Sequence, residues 1–116
     1  MGYYSDVTIA MKLEDESRFL DILTDQGGGQ ADMEGFGRQR HVTSDLGRLV
    51  YYNVELVKWY LEYDDVSRIH KAIEKMMSEE RYVHFMRMGE HADDVEEITC
   101  GPPCMYVSRK ITKYGC

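Results

Sequence analysis

The chain has 116 residues, of which 43% are hydrophobic and 30% charged, and its formal net charge is −7. This length and composition predict one folded domain spanning residues 1–116 and exclude a disordered chain. Because the apolar runs are short and negative charge opposes phosphate binding, we expect neither a membrane partner nor a nucleic-acid partner. Asp6 and Lys12 interrupt the apolar stretch that a secretion signal requires, so the expected location is the cytoplasm.

The first half of the chain predicts a strand, a helix and a second strand. Apolar and polar residues alternate over 3–12, which predicts a strand with one buried side. Residues 14–25 carry an apolar stripe at helical spacing, and the glycines at 27–29 end that helix. Residues 26–47 read as a long loop with a short strand near 38–43. A loop of that length in a small domain usually binds something or moves.

The second half predicts a longer strand, the clearest helix and then more strands. Residues 48–59 alternate, and one face of the strand carries Val50, Tyr52, Val54 and Leu56. Asp64 or Asp65 begins a helix whose apolar residues recur at helical spacing through Met77. Residues 81–88 form the next strand. Residues 95–100 and 105–114 are expected to pair as a hairpin around Gly101 and its two prolines.

This order of elements predicts an α+β fold of the ferredoxin-like (split βαβ) type. Two helices would cover one face of an antiparallel sheet, and the extra C-terminal β-hairpin would extend an edge or fold over the open face. A second copy of the chain is an expected cover for an open sheet face, which would make a homodimer.

A turn rich in carboxylates is the main candidate contact surface. It follows the strand at 81–88 and would present negative charge to a basic protein surface. Because tyrosine is favoured at protein contacts, we add two of the nine tyrosines to the candidate contact residues. The candidate partner-binding residues are Glu90, His91, Asp93, Asp94, Glu96, Glu97, Tyr51 and Tyr82.

Catalytic and cofactor motifs are not expected. The glycines at 27–29 follow a helix instead of opening one, which argues against a phosphate-binding loop. Cys100 and Cys104 are spaced too widely for a zinc knuckle, and with Cys116 they make an odd count that favours free thiols. An alternative reading makes the Glu90–Asp94 turn a hard-cation site of a small metal- or ligand-binding enzyme.

Three stretches, MGYYSDVTIAMK, KWYLEYDDV and MRMGEHADDVEE, resemble small uncharacterised proteins encoded by bacteriophages. The resemblance covers the first strand, the second helix and the strand after it. It implies an accessory viral protein in the host cytoplasm that binds and blocks a host factor, and it carries no site residue. The sequence therefore predicts a non-enzymatic protein, without cofactor or metal, that binds a host or viral protein and inhibits a host factor or defence system. A self-assembling structural module is the remaining alternative.

Overall fold

The structure, a computed structural model, describes residues 3–91, 93–102, 104–107 and 111–113. Its regular elements are β1 Ser5–Lys12, α1 Glu16–Asp25, β2 Gly37–Thr43, β3 Gly47–Val57, α2 Asp64–Ser78, β4 Val83–Met88, β5 Val95–Cys100, β6 Met105–Val107 and β7 Ile111–Lys113. Two short 3₁₀ turns, Leu13–Asp15 and Gln30–Met33, flank α1. The chain is therefore α+β, as predicted, and the short strand near residues 38–43 is present.

Five strands form one antiparallel sheet in the order β2-β3-β1-β4-β5. β1 occupies the middle, with Ile9 opposite Tyr52 on β3 and opposite Phe85 on β4. Since side chains alternate along a strand, this register places Val7, Ile9 and Met11 on one face together. That face belongs to the main core.

Both helices pack against that face. Phe19 and Leu23 of α1 and Ile69 and Ile73 of α2 are buried in the same apolar cluster as Ile9. The apolar stripes read from the sequence are thus the buried sides of the helices, and the two-helix layer is confirmed. Burial of these apolar side chains holds α1 and α2 against the sheet.

The opposite face of the sheet is also buried around β1, which corrects the prediction of a strand with one buried side. Thr8 is 2% exposed and Ala10 is fully enclosed. Ala10 belongs to a second apolar cluster with Tyr51, Met86 and Cys104. The segment after β5 therefore covers part of the face that the sequence left open.

The predicted pairing of residues 95–100 with 105–114 is wrong. β5 instead pairs with β4, with Met88 opposite Val95 and Val83 opposite Cys100. The turn between them is closed by the Gly89 N–H, which donates to the Asp94 carbonyl at 2.8 Å. β5 thus extends the edge of the sheet, and a separate hairpin forms between β6 and β7. Residues 108–110 and 114, within the predicted final strand, lie outside the described residues.

Leu56 also departs from its predicted place on the buried face of β3. It is 75% exposed and has a φ of 54°, in the left-handed region. The pairing of β1 with β3 shifts between Ser5 and Val7, and the extra residue of this bulge places Val57 against the core while Leu56 lies outside it. The Leu56 N–H donates to the Asp6 carboxylate at 3.0 Å and fixes this bulge.

Candidate functional site at the acidic end of the sheet

Three separate segments meet at the end of the sheet where β1 begins. The Tyr3 N–H donates to the Tyr60 hydroxyl, the Tyr3 hydroxyl donates to the Asp94 carboxylate, and the Tyr4 N–H donates to the Glu90 carboxylate, each at 2.6 Å. These bonds join the start of β1, the connection from β3 to α2, and the turn between β4 and β5. We call the surface formed by residues 3–6, 55–65, 87–91 and 93–97 the acidic end.

The acidic end carries more negative charge than the whole chain. Its segments contain ten acidic and two basic residues, a formal charge of −8, whereas the complete chain has −7. The rest of the molecule is accordingly close to neutral. The acidity that the sequence spreads over both halves is concentrated by the fold on one surface.

Arg87 organises the carboxylates on the inner side of this surface. Its guanidinium pairs with Asp94 at 2.8 Å and with Glu96 at 3.0 Å, and it also donates to the Ser5 hydroxyl. The Arg87 bonds hold the pKa of Asp94 below its ordinary value, and the hydrogen bond to Asp94 raises the pKa of Tyr3. Asp94 and Glu96 therefore hold the surface together through Arg87. Glu90, His91 and Asp93 are exposed to solvent.

Gly89 leaves room for the hydrogen bond between Tyr3 and Asp94. A Cβ placed at Gly89 would collide with the Asp94 carboxylate and the Tyr3 hydroxyl. A side chain at this position would displace the Tyr3 hydroxyl and the Asp94 carboxylate from their hydrogen bond. No local sequence signal marks this role of Gly89, because Tyr3 is distant in the chain.

Large apolar side chains are exposed at the same end. Within the described residues, five of the six exposed large hydrophobic side chains belong to it, and the sixth is Val42. Leu56 and Leu61 are 75% and 63% exposed, and the others are Tyr4, Tyr63 and Val95. The Lys58 ammonium lies 5.9 Å from the centre of the Tyr4 ring, so an exposed ring here already faces a cation.

Tyr51 and Tyr82 do not share this surface. They are 1% and 8% exposed and pack in the second apolar cluster on the far face of the sheet. The Tyr82 hydroxyl donates to the Pro102 carbonyl at 2.6 Å, which ties down the segment after β5. Neither offers the exposed ring expected from the sequence, and Tyr4 and Tyr63 present rings to solvent at the acidic end instead.

A buried histidine anchors the same segment. His84 is fully enclosed; its Nε2 lies 2.6 Å from a Glu97 carboxylate oxygen, and its Nδ1 accepts the Cys104 N–H at 3.1 Å. The Cys104 thiol lies 3.6 Å from the same Nδ1. Sequence reasoning missed this group because Cys104 and Glu97 meet His84 only through the sheet register and the turn after β5.

A cysteine, a histidine and a carboxylate also form the catalytic group of thiol hydrolases, but the environment of the three side chains is different here. Burial raises the pKa of the Cys104 thiol and lowers the pKa of His84, so the thiol stays protonated and the imidazole neutral. Cys104 is 1% exposed, and the lone pair a base would use already accepts a backbone N–H. The group therefore acts as a latch that holds Cys104 against the sheet.

A cation site does not form from the predicted turn residues as the structure places them. Within residues 3–91, 93–102 and 104, no three His, Cys, Asp or Glu side chains are grouped to hold a metal ion. Glu90 points to the Tyr4 N–H while Asp94 points to Arg87, so their oxygens do not converge. Cys100 and Cys104 are free and belong to clusters on opposite faces of the sheet. Cys116 lies outside the described residues.

Comparison with protein-family models, with curated proteins and with solved structures gives no match. In the described part of the chain, neither helix has the length and apolar character needed to cross a bilayer.

Replacing Gly89 with alanine should destabilise the acidic end. We expect the Gly89→Ala variant to lose about 1–3 kcal/mol of unfolding free energy, because the added methyl group has no room beside Tyr3 and Asp94. Gly35→Ala is the matched control, since a Cβ at Gly35 meets nothing within 4 Å. Urea denaturation measures both. An equal effect of the two substitutions would contradict the close packing at Gly89.

The buried histidine latch should make stability depend on pH. Burial lowers the pKa of His84 in the folded state, so the unfolded chain binds the proton more readily, and stability falls as the pH drops below about 6.5. His84→Asn keeps an acceptor for the Cys104 N–H but does not titrate, so it should flatten the loss of unfolding free energy between about pH 7.5 and pH 5.5. Identical slopes in the variant and the unchanged protein would refute the latch.

Proposed function

We propose that the chain is a non-enzymatic accessory protein of phage type that binds a host or viral protein through the acidic end. In the host cytoplasm it would inhibit a host factor or defence system by occupying a surface of its partner. The observation that carries this proposal is that exposed Leu56, Leu61, Tyr4 and Tyr63 lie on the surface that holds all of the chain's excess negative charge. Solvent-exposed apolar groups that cluster, rather than scatter, mark interaction sites.

The two kinds of side chain have separate roles in such a contact. Tyrosine and leucine contribute the apolar area whose burial supplies affinity, and tyrosine loses little conformational freedom when it is ordered. The carboxylates speed the approach of a basic surface and reject acidic ones. The proposed partner therefore has a basic surface with an apolar centre.

We also propose that the fold is ferredoxin-like. The first four strands stand in the order β2-β3-β1-β4, α1 lies between β1 and β2 in sequence, and α2 lies between β3 and β4. In each strand-helix-strand unit a third, antiparallel strand separates the two strands, which is the split βαβ arrangement. β5 adds a fifth strand beside β4.

A partner protein bound at the acidic end is better supported than a second copy of the chain bound on the open sheet face. Ala10, Tyr51 and Met86 on that face already lie under the segment that contains Cys104. The apolar area that would drive such a dimer is therefore buried within the chain at this place. The acidic end is also unsuited to self-pairing, since it would bring two surfaces of charge −8 together.

Capture from a bacterial host lysate with two matched pairs of variants tests the proposal. Leu61→Ser at the acidic end is compared with Val42→Ser elsewhere. The two side chains are similarly exposed, Leu61 at 63% and Val42 at 69%. Asp93→Lys is compared with Asp25→Lys, both at exposed positions. We expect the first member of each pair to retain about tenfold less partner, which corresponds to about 1.4 kcal/mol, because only these two alter the contact.

Two outcomes would reject the proposed contact. One is that no protein is retained by the unchanged chain at either low or moderate salt. The other is that the control variants lose as much partner as the acidic-end variants. Retention that falls as the salt concentration rises is expected, because exposed charges are screened.

A further inference from the structure

A second feature lies away from the acidic end, under the loop that joins α1 to β2. There a half-open cavity of about 410 Å³ lies between α1, the loop and the first residues of β2. This volume is within the usual range for small-molecule sites. Leu20, Met33 and Phe36 line it with apolar groups, and Glu16, Arg38 and Tyr52 form a polar wall. The exposed residues Gln30 and Glu34 complete the lining.

The polar wall is fixed in place. Arg38 donates to Glu16 through Nε at 2.6 Å and through Nη2 at 2.7 Å, and the Tyr52 hydroxyl donates to the same carboxylate. The Arg38 bonds lower the pKa of Glu16, while burial and the Glu16 contact raise the pKa of Tyr52 to about 12. Near neutral pH, Glu16 is thus ionised and Tyr52 remains a donor, so the wall keeps one arrangement.

The loop that roofs the cavity is held by a buried ion pair. The Asp32 side chain is 4% exposed and pairs with Arg68 of α2 through two bonds, at 2.8 and 3.0 Å. Met33, the next residue, is buried in the main core. The loop is consequently anchored to α2 beyond the cavity.

We propose that this cavity is a binding site for a small carboxylate with an aromatic or branched apolar body. A guanidinium has five N–H donors in a planar fork, and the two bonds to Glu16 use Nε and one hydrogen of Nη2. Glu16 does not use the other three hydrogens, the two of Nη1 and the second of Nη2, and the Nη1–Nη2 edge of the guanidinium matches the two oxygens of a ligand carboxylate. Arg40 follows two residues later on the same side of β2 and adds positive charge.

The apolar wall selects the rest of the ligand. The Phe36 ring lies edge-on to the Tyr52 ring with centroids 6.5 Å apart, so a planar or branched body can pack against both. Leu20 and Met33 complete this side of the cavity. None of the lining residues belongs to the acidic end, so the site is independent of the proposed protein contact.

Titration of the full chain with three probes of similar size tests the site. Phenylacetate and phenylacetamide match in size, phenethylamine is one non-hydrogen atom smaller, and each is added in turn while the Met33 methyl signal is followed by NMR. Phenylacetate should shift this signal and bind about tenfold or more tightly than the amide, because a charge-assisted bond to Arg38 is lost in the amide. Phenethylamine should bind more weakly still, since it presents a cation to the guanidinium.

Two variants locate the binding. Gln30→Trp introduces a bulky ring at an exposed lining position without touching the Glu16–Arg38 pair, and Arg38→Gln removes the fork. Each should weaken phenylacetate binding about tenfold or more, whereas Arg48→Gln, at an exposed position of β3, should leave it unchanged. Should Arg38→Gln fail to fold, Gln30→Trp and the probe series still decide the question. The proposal is overturned if no probe shifts Met33, if the amine binds best, or if Gln30→Trp leaves phenylacetate binding intact.

Discussion

The antiparallel pairing of β1 with both β3 and β4 is the constraint on which the rest of the structure depends. β1 is the central strand and is buried on both faces: Ile9 faces the helices, and Ala10 faces the segment after β5. Because the side chains of a strand alternate, a slip of one residue would exchange these two faces. The core under α1 and α2, and the second cluster around Tyr51, therefore both require the one register in which Ile9 lies opposite Tyr52 and Phe85.

The two proposed sites are consequences of that register at different places. At the start of β1 it brings Tyr3 to the β4–β5 turn, where Asp94, Arg87 and Gly89 close around it and the carboxylates gather. Along β3 it turns Tyr52 toward the helices, where its hydroxyl reaches the Glu16 carboxylate beside the cavity. One site exposes charge together with apolar surface, as a protein contact requires. The cavity site is a half-open space beside the fixed Glu16–Arg38 ion pair, which suits a small ligand.

The fold was largely predictable from local patterns, whereas the sites were not. The helical stripe containing Ile69 and Ile73 marks a buried helix face without any knowledge of its neighbours, and the short strand β2 was readable from its local composition. Pairing between distant segments leaves no such local signal. The burial of Tyr51 depends on the segment after β5, and the Glu16–Arg38 pair joins residues 22 positions apart in sequence. The acidic turn was recognisable as a charge cluster, but its apolar surroundings come from residues 3–4 and 56–63, which only the tertiary structure places beside it.

Cross-strand nuclear Overhauser effects at β1 measure the strand register itself. We expect backbone contacts from Ile9 to Tyr52 on one side and to Phe85 on the other, together with side-chain contacts from Ile9 to the apolar cluster that contains Ile73. Contacts from Ile9 to Tyr51 or His84 in their place would mean a one-residue shift that turns Ala10 toward the helices. That result would contradict both the buried core and the surfaces derived from it.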